Sequence, residues 1–236
     1  MNAAHCRSRF TAEDFQFVVR TLARSRTDAV SLVELLTDEE SRDAVLDHDL
    51  LAAELVDACS CVRVSPFFYF YVLTRRVFRE KGLSDRVLAD YVAAVLVAFS
   101  RRQRMPSPGG DEAEAAFLYV SDLIGRLNGA DEREAYLQRA FLADYTLFAA
   151  GIFAERVKAH AERRGGPDIS FYEDIGRASY LAASRHRMAK SLQIHETLGA
   201  LAERFHEIRR ALNYLAENLL HLSPPAPPFV LNPTGT

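Results

Sequence analysis

The stretch "IHETLGALAERFHEIRRALNYLAENLLHL", residues 194–222, decides the fold class of this chain. Its large apolar residues recur at alternating spacings of four and three, which places them along one side of a helix for about four heptads. The positions beside this stripe carry small or unpaired polar residues instead of the opposite charges of a free coiled coil. We therefore expect the stripe to be buried among neighbouring helices of the same chain, with self-association as the alternative. The stripe, called here the C-terminal seam, consists of Ile194, Leu198, Leu201, Phe205, Ile208, Leu212, Leu215, Leu219 and Leu222.

The rest of the chain shows the same helical periodicity. Apolar residues at spacings of three and four recur from Phe10 onward, and no segment sustains the alternation of period two that is expected of a strand. The sequence therefore predicts an all-α, single-domain multi-helix bundle of about eight to ten helices over residues 1–222, with a long C-terminal helix. Residues 223–236, "SPPAPPFVLNPTGT", are predicted to form an extended Pro-rich tail, because proline cannot continue a helix. The predicted helices lie near residues 11–25, 28–36, 38–47, 49–60, 66–81, 85–104, 112–128, 131–163, 171–188 and 191–222.

Residues typical of helix ends support these boundaries. Several pairs match the capping box, in which the first side chain accepts from an early backbone N–H and the later carboxylate reaches back. Ser65 followed by Pro66 marks another start, because proline at the first helical position removes an N–H that has no partner there. Glycines are predicted to end helices in the left-handed conformation. The capping pairs are Thr37 with Glu40, Asp111 with Glu114 and Ser170 with Glu173, and the glycines are Gly82, Gly129, Gly165 and Gly166.

Composition and charge limit the classes of partner. The chain has 29 basic and 32 acidic side chains and a formal net charge of −3, which supplies no general attraction for nucleic acid or anionic lipid. The apolar runs at residues 66–73 and 91–99 are far shorter than the roughly 20 residues that cross a bilayer. The N-terminus lacks the apolar stretch of a signal peptide, and three cysteines make no disulfide framework. We expect a cytoplasmic protein that binds neither nucleic acid nor membrane.

Two segments besides the seam are predicted to form the core. "PFFYFYVLTRRVF", residues 66–78, is apolar on every side for two turns, which is typical of a helix enclosed by others. Residues 141–153 have the same character. Together with the C-terminal seam, these segments form the predicted centre of the bundle.

Two aspartates, Asp90 and Asp144, lie inside strongly apolar helices. An ionised carboxylate in an apolar interior must gain a partner or take up a proton, so we expect each aspartate to face solvent or to pair with an arginine. The alternative is that the two aspartates converge with tyrosines in a cleft, which would then be the default binding site. The candidate arginines are Arg75, Arg76 and Arg177, and the candidate tyrosines are Tyr91 and Tyr145.

The stretch "ISFYEDIGRASY", residues 169–180, concentrates polar and aromatic groups around a glycine. Structural roles account for most of them: Ser170 is the predicted N-cap, and Glu173 is placed to pair with Arg177 four residues later. Gly176 costs about 1 kcal/mol in a helix interior, so we expect it to let another backbone approach closely. The face that it shares contains Tyr172, Ser179 and Ala183. The functional alternative is a cluster that binds a polar ligand, consisting of Asp144, Tyr145, Tyr172, Glu173, Arg177 and Tyr180.

Motifs for metal binding and catalysis are missing from the sequence. The single Glu-x-x-His spacing, Glu203 with His206, lies opposite the seam and so faces away from the bundle centre where a di-iron site would form. Cys59 and Cys61 lack the two-residue gap and the second pair of a structural zinc site. The chain contains no G-x-S-x-G motif and no phosphate-binding glycine loop. We expect no metal and no cofactor.

The sequence therefore favours a non-catalytic protein-binding or scaffolding module. The expected partners are another protein or a second copy of the chain. The alternative is an enzyme or small-ligand-binding protein with a polar pocket between the central helices, lined by the polar cluster around Asp144 and Glu173.

Overall fold

The computed structural model describes residues 6–57, 63–100, 120–127 and 129–220, and these residues are almost entirely helical, with no strand among them. The all-α, multi-helix fold predicted from the sequence is confirmed. The helices are a short 3-10 helix at Arg7–Arg9, α1 (Ala12–Leu22), α2 (Arg26–Thr37), α3 (Glu39–Leu46), α4 (Asp49–Asp57), α5 (Pro66–Glu80), α6 (Arg86–Ser100), α7 (described over residues 120–126), α8 (Glu132–Ile152), α9 (Ala154–Arg164), α10 (Ile169–Ser184), α11 (Arg187–Ser191), α12 (His195–Glu203) and α13 (Phe205–Asn218).

Several helix ends follow the sequence signals. Ser65 caps α5 by accepting a hydrogen bond from the backbone N–H of Phe68, with Pro66 at the first helical position. Three of the predicted glycines adopt the left-handed conformation, which lets the chain turn away from the preceding helix without a Cβ clash. These are Gly82, Gly129 and Gly165, with φ of 75°, 93° and 66°.

Two predicted N-caps are wrong by one or two residues. Asp38 rather than Thr37 caps α3, and Asp168 rather than Ser170 caps α10, each through a carboxylate that accepts an early backbone N–H. An ionised carboxylate interacts more favourably than a hydroxyl with the positive end of a helix, which explains both shifts. The predicted pair Asp111 with Glu114 lies outside the described residues, as do Cys59, Cys61 and the Pro-rich tail.

The C-terminal seam is buried over most of its length, as the spacing of its residues predicts. Ile194 and Leu219, near its two ends, are half-buried, and Leu222 lies outside the described residues. Other helices of the same chain bury the apolar stripe, so no second copy of the chain is needed to cover it. The fully buried members are Leu198, Leu201, Phe205, Ile208, Leu212 and Leu215.

The single helices predicted over residues 191–222 and 131–163 are each divided in two. The breaks fall at Arg204, with φ −101° and ψ 16°, and at Phe153, with φ −115° and ψ 30°. α12 packs mainly on α10, whereas α13 packs on α8 and α5. One straight helix could not follow both surfaces, so the bend at Arg204 lets the seam stay buried from Leu198 to Leu215.

The centre of the molecule is formed by α5, α6, α8 and α10. Most residues of α6 are buried, and α5 buries aromatic and aliphatic side chains on several sides, as predicted for residues 66–78. α8 packs on α10 along one face and on α13 along another. The predicted core segments therefore lie where the sequence places them, and α6 joins them.

Gly176 on α10 lies at a close helix contact, as predicted. A Cβ added to it would lie 2.4 Å from ring atoms of Phe205 and 2.6 Å from the Oγ1 atom of Thr146. Its predicted face is buried as well: Tyr172, Ser179 and Ala183 all lie in the interior. The glycine therefore lets α10 approach α8 and the start of α13 more closely than any side chain would allow.

We expect the substitution Gly176→Ala to lower the free energy of unfolding by about 1–3 kcal/mol, because the added methyl overlaps Phe205. The higher helix propensity of alanine, worth about 1 kcal/mol, opposes this loss. Urea unfolding followed by circular dichroism measures the difference. Gly199→Ala in α12 is the control, since nothing lies within 4 Å of its added methyl and a gain of about 0.5–1 kcal/mol is expected. A similar gain in both variants would contradict the close contact.

Candidate functional site

Asp144 lies at the buried junction of α6, α8 and α10. Its Oδ1 atom accepts hydrogen bonds from the hydroxyl groups of Tyr91 and Tyr180, each at 2.9 Å. We call these three residues the Asp144 triad. Among the described residues, no arginine pairs with Asp144, so the predicted ion pair is replaced by two neutral donors.

Burial dominates the acid–base properties of the Asp144 triad. It raises the pKa of Asp144 to about 7, and the two tyrosine hydroxyls lower that pKa only in part because they are neutral. The same burial, together with the carboxylate itself, raises the pKa of Tyr91 and of Tyr180 well above the usual range. The triad therefore holds a carboxyl group that can change its charge near neutral pH inside an apolar interior.

The other predicted tyrosines lie in the same core but make different contacts. Tyr145 is buried beside Phe99, with 6.0 Å between the ring centroids. Tyr172 is buried next to Phe171, and burial raises its pKa to about 12. Both tyrosines are closed to solvent, as are Asp144 and Tyr180, so these four of the six predicted cluster residues belong to the packed interior.

Glu173 and Arg177 point away from the Asp144 triad. Arg177 is exposed, and Glu173 pairs with Arg209 and with His206 on α13 instead, the His206 Nδ1 atom lying 3.0 Å from its carboxylate. Arg209 also donates to Asn213, whose amide donates to backbone carbonyls at the end of α8. This chain of polar contacts ties α10, α13 and α8 together. Of the six predicted cluster residues, only Asp144 and Tyr180 are in direct contact through a hydrogen bond.

Asp90, the second aspartate of interest, caps the N-terminal 3-10 helix. Its carboxylate accepts from the backbone N–H groups of Cys6 at 3.1 Å and of Arg7 at 2.8 Å. The Nε atom of Arg7 lies 3.6 Å from the same carboxylate. Arg75 and Arg76 are not the partners of Asp90, because Arg75 pairs with Asp47 and Arg76 pairs with Glu80.

A network of five charged residues links α3 to α5, α6 and the N-terminal segment, and sequence reasoning missed it. Asp47 accepts from Arg75 at 2.7 Å and 3.0 Å and from Arg86 at 2.8 Å. Asp43, one turn earlier, accepts from Arg7 at 2.7 Å and 2.9 Å. The paired guanidinium groups lower the pKa of Asp47, although burial opposes this effect. The spacing of Asp43 on α3 and Asp47 at its C-cap is a signal in the sequence, but their partners come from remote segments.

An apolar groove runs between α1 and α2. Its volume is about 590 Å³, and its α2 wall contains no buried residue. Val30 and Val33 on α2 are more than half exposed. We call it the α1–α2 groove; it is lined by Ala12, Phe15, Gln16, Val19, Arg20, Val33, Leu36 and Thr37.

The sequence contains a signal for this groove. The α2 segment "RTDAVSLVELLT" carries one apolar stripe through Leu32 and Leu36 and another through Val30 and Val33. Two stripes on one short helix exceed what a single neighbouring helix can cover. Only the packing of α2 against α1 and α3 shows that Val30 and Val33 are left more than half exposed, whereas Leu32 and Leu36 are half-buried.

Comparisons with known proteins assign no class. No family model matches the chain, and the comparisons with curated proteins and with solved structures found no match. Within the described residues, no group of three or more histidine, cysteine, aspartate or glutamate side chains is placed to hold a metal ion. No helix in the described part of the chain is long and apolar enough to cross a membrane.

Proposed function

We propose that this chain is a protein-binding module whose binding surface is the α1–α2 groove. The observation that carries the proposal is the apolar wall that α2 presents to solvent, with Val33 55% exposed and no residue of the helix buried. Contiguous apolar surface left open on a folded protein is characteristic of interaction sites, because covering it is favourable.

The size of the groove supports a polypeptide partner. Its 590 Å³ can hold several apolar side chains, and its α1 wall runs from Ala12 to Arg20, about 12 Å along the helix. The apolar surface continues outside the groove through Val30, so a partner larger than the cavity would bury additional area. The buried Asp144 triad and the Glu173 contacts serve as internal supports for the helices in this proposal.

The substitution Val33→Asp is expected to weaken groove binding by about tenfold or more, because apolar side chains of a partner would have to desolvate the new carboxylate. The ligands are peptides selected from a random display library on the purified chain, and fluorescence anisotropy measures their dissociation constants. Val87→Asp is the matched control: Val87 is 53% exposed, but it lies on α6 and does not line the groove. Failure to select any peptide, or equal binding by both variants, would contradict the proposal.

A second proposal is the enzyme or small-ligand-binding protein with a polar pocket between the central helices. The observation that favours it is the pKa of about 7 at Asp144, a value suited to proton transfer near neutral pH. It requires that the helices around the triad separate to admit a ligand. Mass spectrometry of the purified chain would then find a stoichiometric polar small molecule, and Tyr180→Phe would lose it.

A further inference from the structure

The solvent-facing side of α2 combines an apolar centre with a charge of opposite sign on each side of it. Arg26, Val30 and Glu34 follow one another at spacings of four residues, so they form a single row along the helix surface. All three side chains are exposed, Val30 by 58%. Val33, which is 55% exposed, lies beside this row and lines the α1–α2 groove. We call Arg26, Val30, Val33 and Glu34 the α2 face.

The charges of the whole α1–α2 hairpin are separated in the same direction. A short turn at residues 23–25 joins α1 to α2, and the two helices pack against each other, so they run in opposite directions. Residues 20–26, at the turn end, contain arginines and no acid, whereas residues 33–40, at the opposite end, contain acids and no base. Asp28 lies between the two ends, and its carboxylate accepts from the backbone N–H of Arg24 at 3.2 Å. The exposed charges are Arg20, Arg24 and Arg26 at the turn end and Glu13, Glu34, Asp38, Glu39 and Glu40 at the opposite end.

This order of charges makes the α2 face complementary to itself. Arg26 and Glu34 lie four residues before and four residues after Val30, about 6 Å along the helix in each direction. When a second α2 packs antiparallel to the first, with a two-fold axis beside Val30, Arg26 of each copy faces Glu34 of the other. A parallel arrangement would bring arginine against arginine and glutamate against glutamate. A two-fold contact uses the same patch on both copies, so it requires a surface of this self-complementary kind.

We infer that the α2 face binds a second copy of this chain, with the two α2 helices antiparallel about Val30. The inference rests on the proposed function and names the partner and its orientation. Removing the exposed valines of both copies from water is the favourable term, whereas the exposed ion pairs mainly select the orientation. The α2 face is small beside the roughly 20–30 residues per side of a standard interface, so we expect dimers that form reversibly at about micromolar to millimolar concentrations.

The apolar centre of the contact is tested by sedimentation of the full chain between about 1 μM and about 1 mM. The substitution Val30→Asp should weaken dimerisation by about tenfold or more, because two carboxylates would have to lose water next to the two-fold axis. Val87→Asp is the matched control: Val87 is 53% exposed but lies on α6, so this variant should dimerise as the wild type does.

The antiparallel orientation is tested by charge reversal. Arg26→Glu or Glu34→Arg alone replaces both attractions in the dimer by repulsions, so each should weaken dimerisation by roughly three- to thirtyfold. The chain that carries both reversals has opposite charges facing again and should return to within about threefold of the wild type. A mixture of the two single variants should form dimers with one copy of each, more stable than the dimers of either variant alone. Both reversals suit the dipole of α2, with glutamate in the first turn and arginine in the last, and circular dichroism checks that each variant is folded.

The contrary results are distinct from a failure of the proposed function. A wild-type chain that stays monomeric at about 1 mM, or dimers that Val30→Asp does not weaken, would overturn the second copy as the partner of the α2 face. Dimers that respond to Val30→Asp but to neither charge reversal, with no gain on mixing, would overturn the antiparallel arrangement. In each case the proposed function is decided separately, by whether Val33→Asp weakens the peptides selected on the groove.

Discussion

Replacing Asp47 with alanine is expected to lower the free energy of unfolding by about 3–5 kcal/mol, the range for removing one partner of a buried ion pair. Asp47 accepts two hydrogen bonds from Arg75, whose side chain is only 6% exposed, and one from Arg86. The substitution leaves the Arg75 guanidinium inside the protein with one remaining contact, to the backbone carbonyl of Ser84. An uncompensated charge in that position costs far more than the same charge at the surface.

The matched control for this prediction is Asp49→Ala, two residues further along the chain. Asp49 also faces an arginine, Arg79, at 3.4 Å, but its side chain is 75% exposed. Loss of an exposed pair costs about 0–1 kcal/mol. Urea unfolding of both variants at neutral pH gives the comparison. Equal, small losses would mean that water reaches Arg75 and that the network contributes little to stability.

The Asp47 pair also predicts an acid-dependent loss of stability. Its arginine partners lower the pKa of Asp47 in the folded state below the value of 3.8 for a free side chain. The unfolded state therefore takes up a proton first as the pH falls, so the stabilisation is present above about pH 4 and is lost in more acidic solution. The Asp47→Ala variant should lack this part of the acid dependence.

The second large effect on the free energy of unfolding is expected at Asp144. Its dependence on pH is opposite in sign to that of Asp47. Burial raises its pKa in the folded state to about 7, whereas a free aspartate has a value of 3.8. Between these values the folded state holds a proton that the unfolded state has released, so the free energy of unfolding falls as the pH rises. The total fall attributable to this residue is on the order of 4 kcal/mol, complete above about pH 7.

The variant Asp144→Asn isolates this contribution. Asparagine keeps an oxygen that accepts from Tyr91 and Tyr180 but cannot ionise, so its free energy of unfolding should vary less between about pH 4 and pH 8. Asp174→Asn, an exposed position on the same helix as Tyr180, is the control and should keep the wild-type profile. Parallel profiles for wild type and Asp144→Asn would show that the carboxyl group is hydrated in the folded protein.

The candidate site was only partly predictable from the sequence. The sequence predicts that Asp144 and Tyr180 belong to one cluster, and they do share a hydrogen bond, because an aspartate in an apolar helix must find a polar partner. Helical spacing predicts that Glu173 pairs with Arg177, but Glu173 binds Arg209 and His206 on another helix instead. A contact between helices competes with a contact within a helix, and helical spacing does not show which of the two forms.

The sequence by itself determined that the chain is helical, that the C-terminal seam is buried and that Gly176 lies at a close contact. These properties depend on residue spacing along a helix, which is a local quantity with a known period. The tertiary structure alone decided that Asp144 meets two tyrosines, that Asp47 meets Arg75 and that Val30 and Val33 on α2 stay exposed. Such pairings depend on the angle and register between helices, and these result from the packing of the whole core rather than from any one segment.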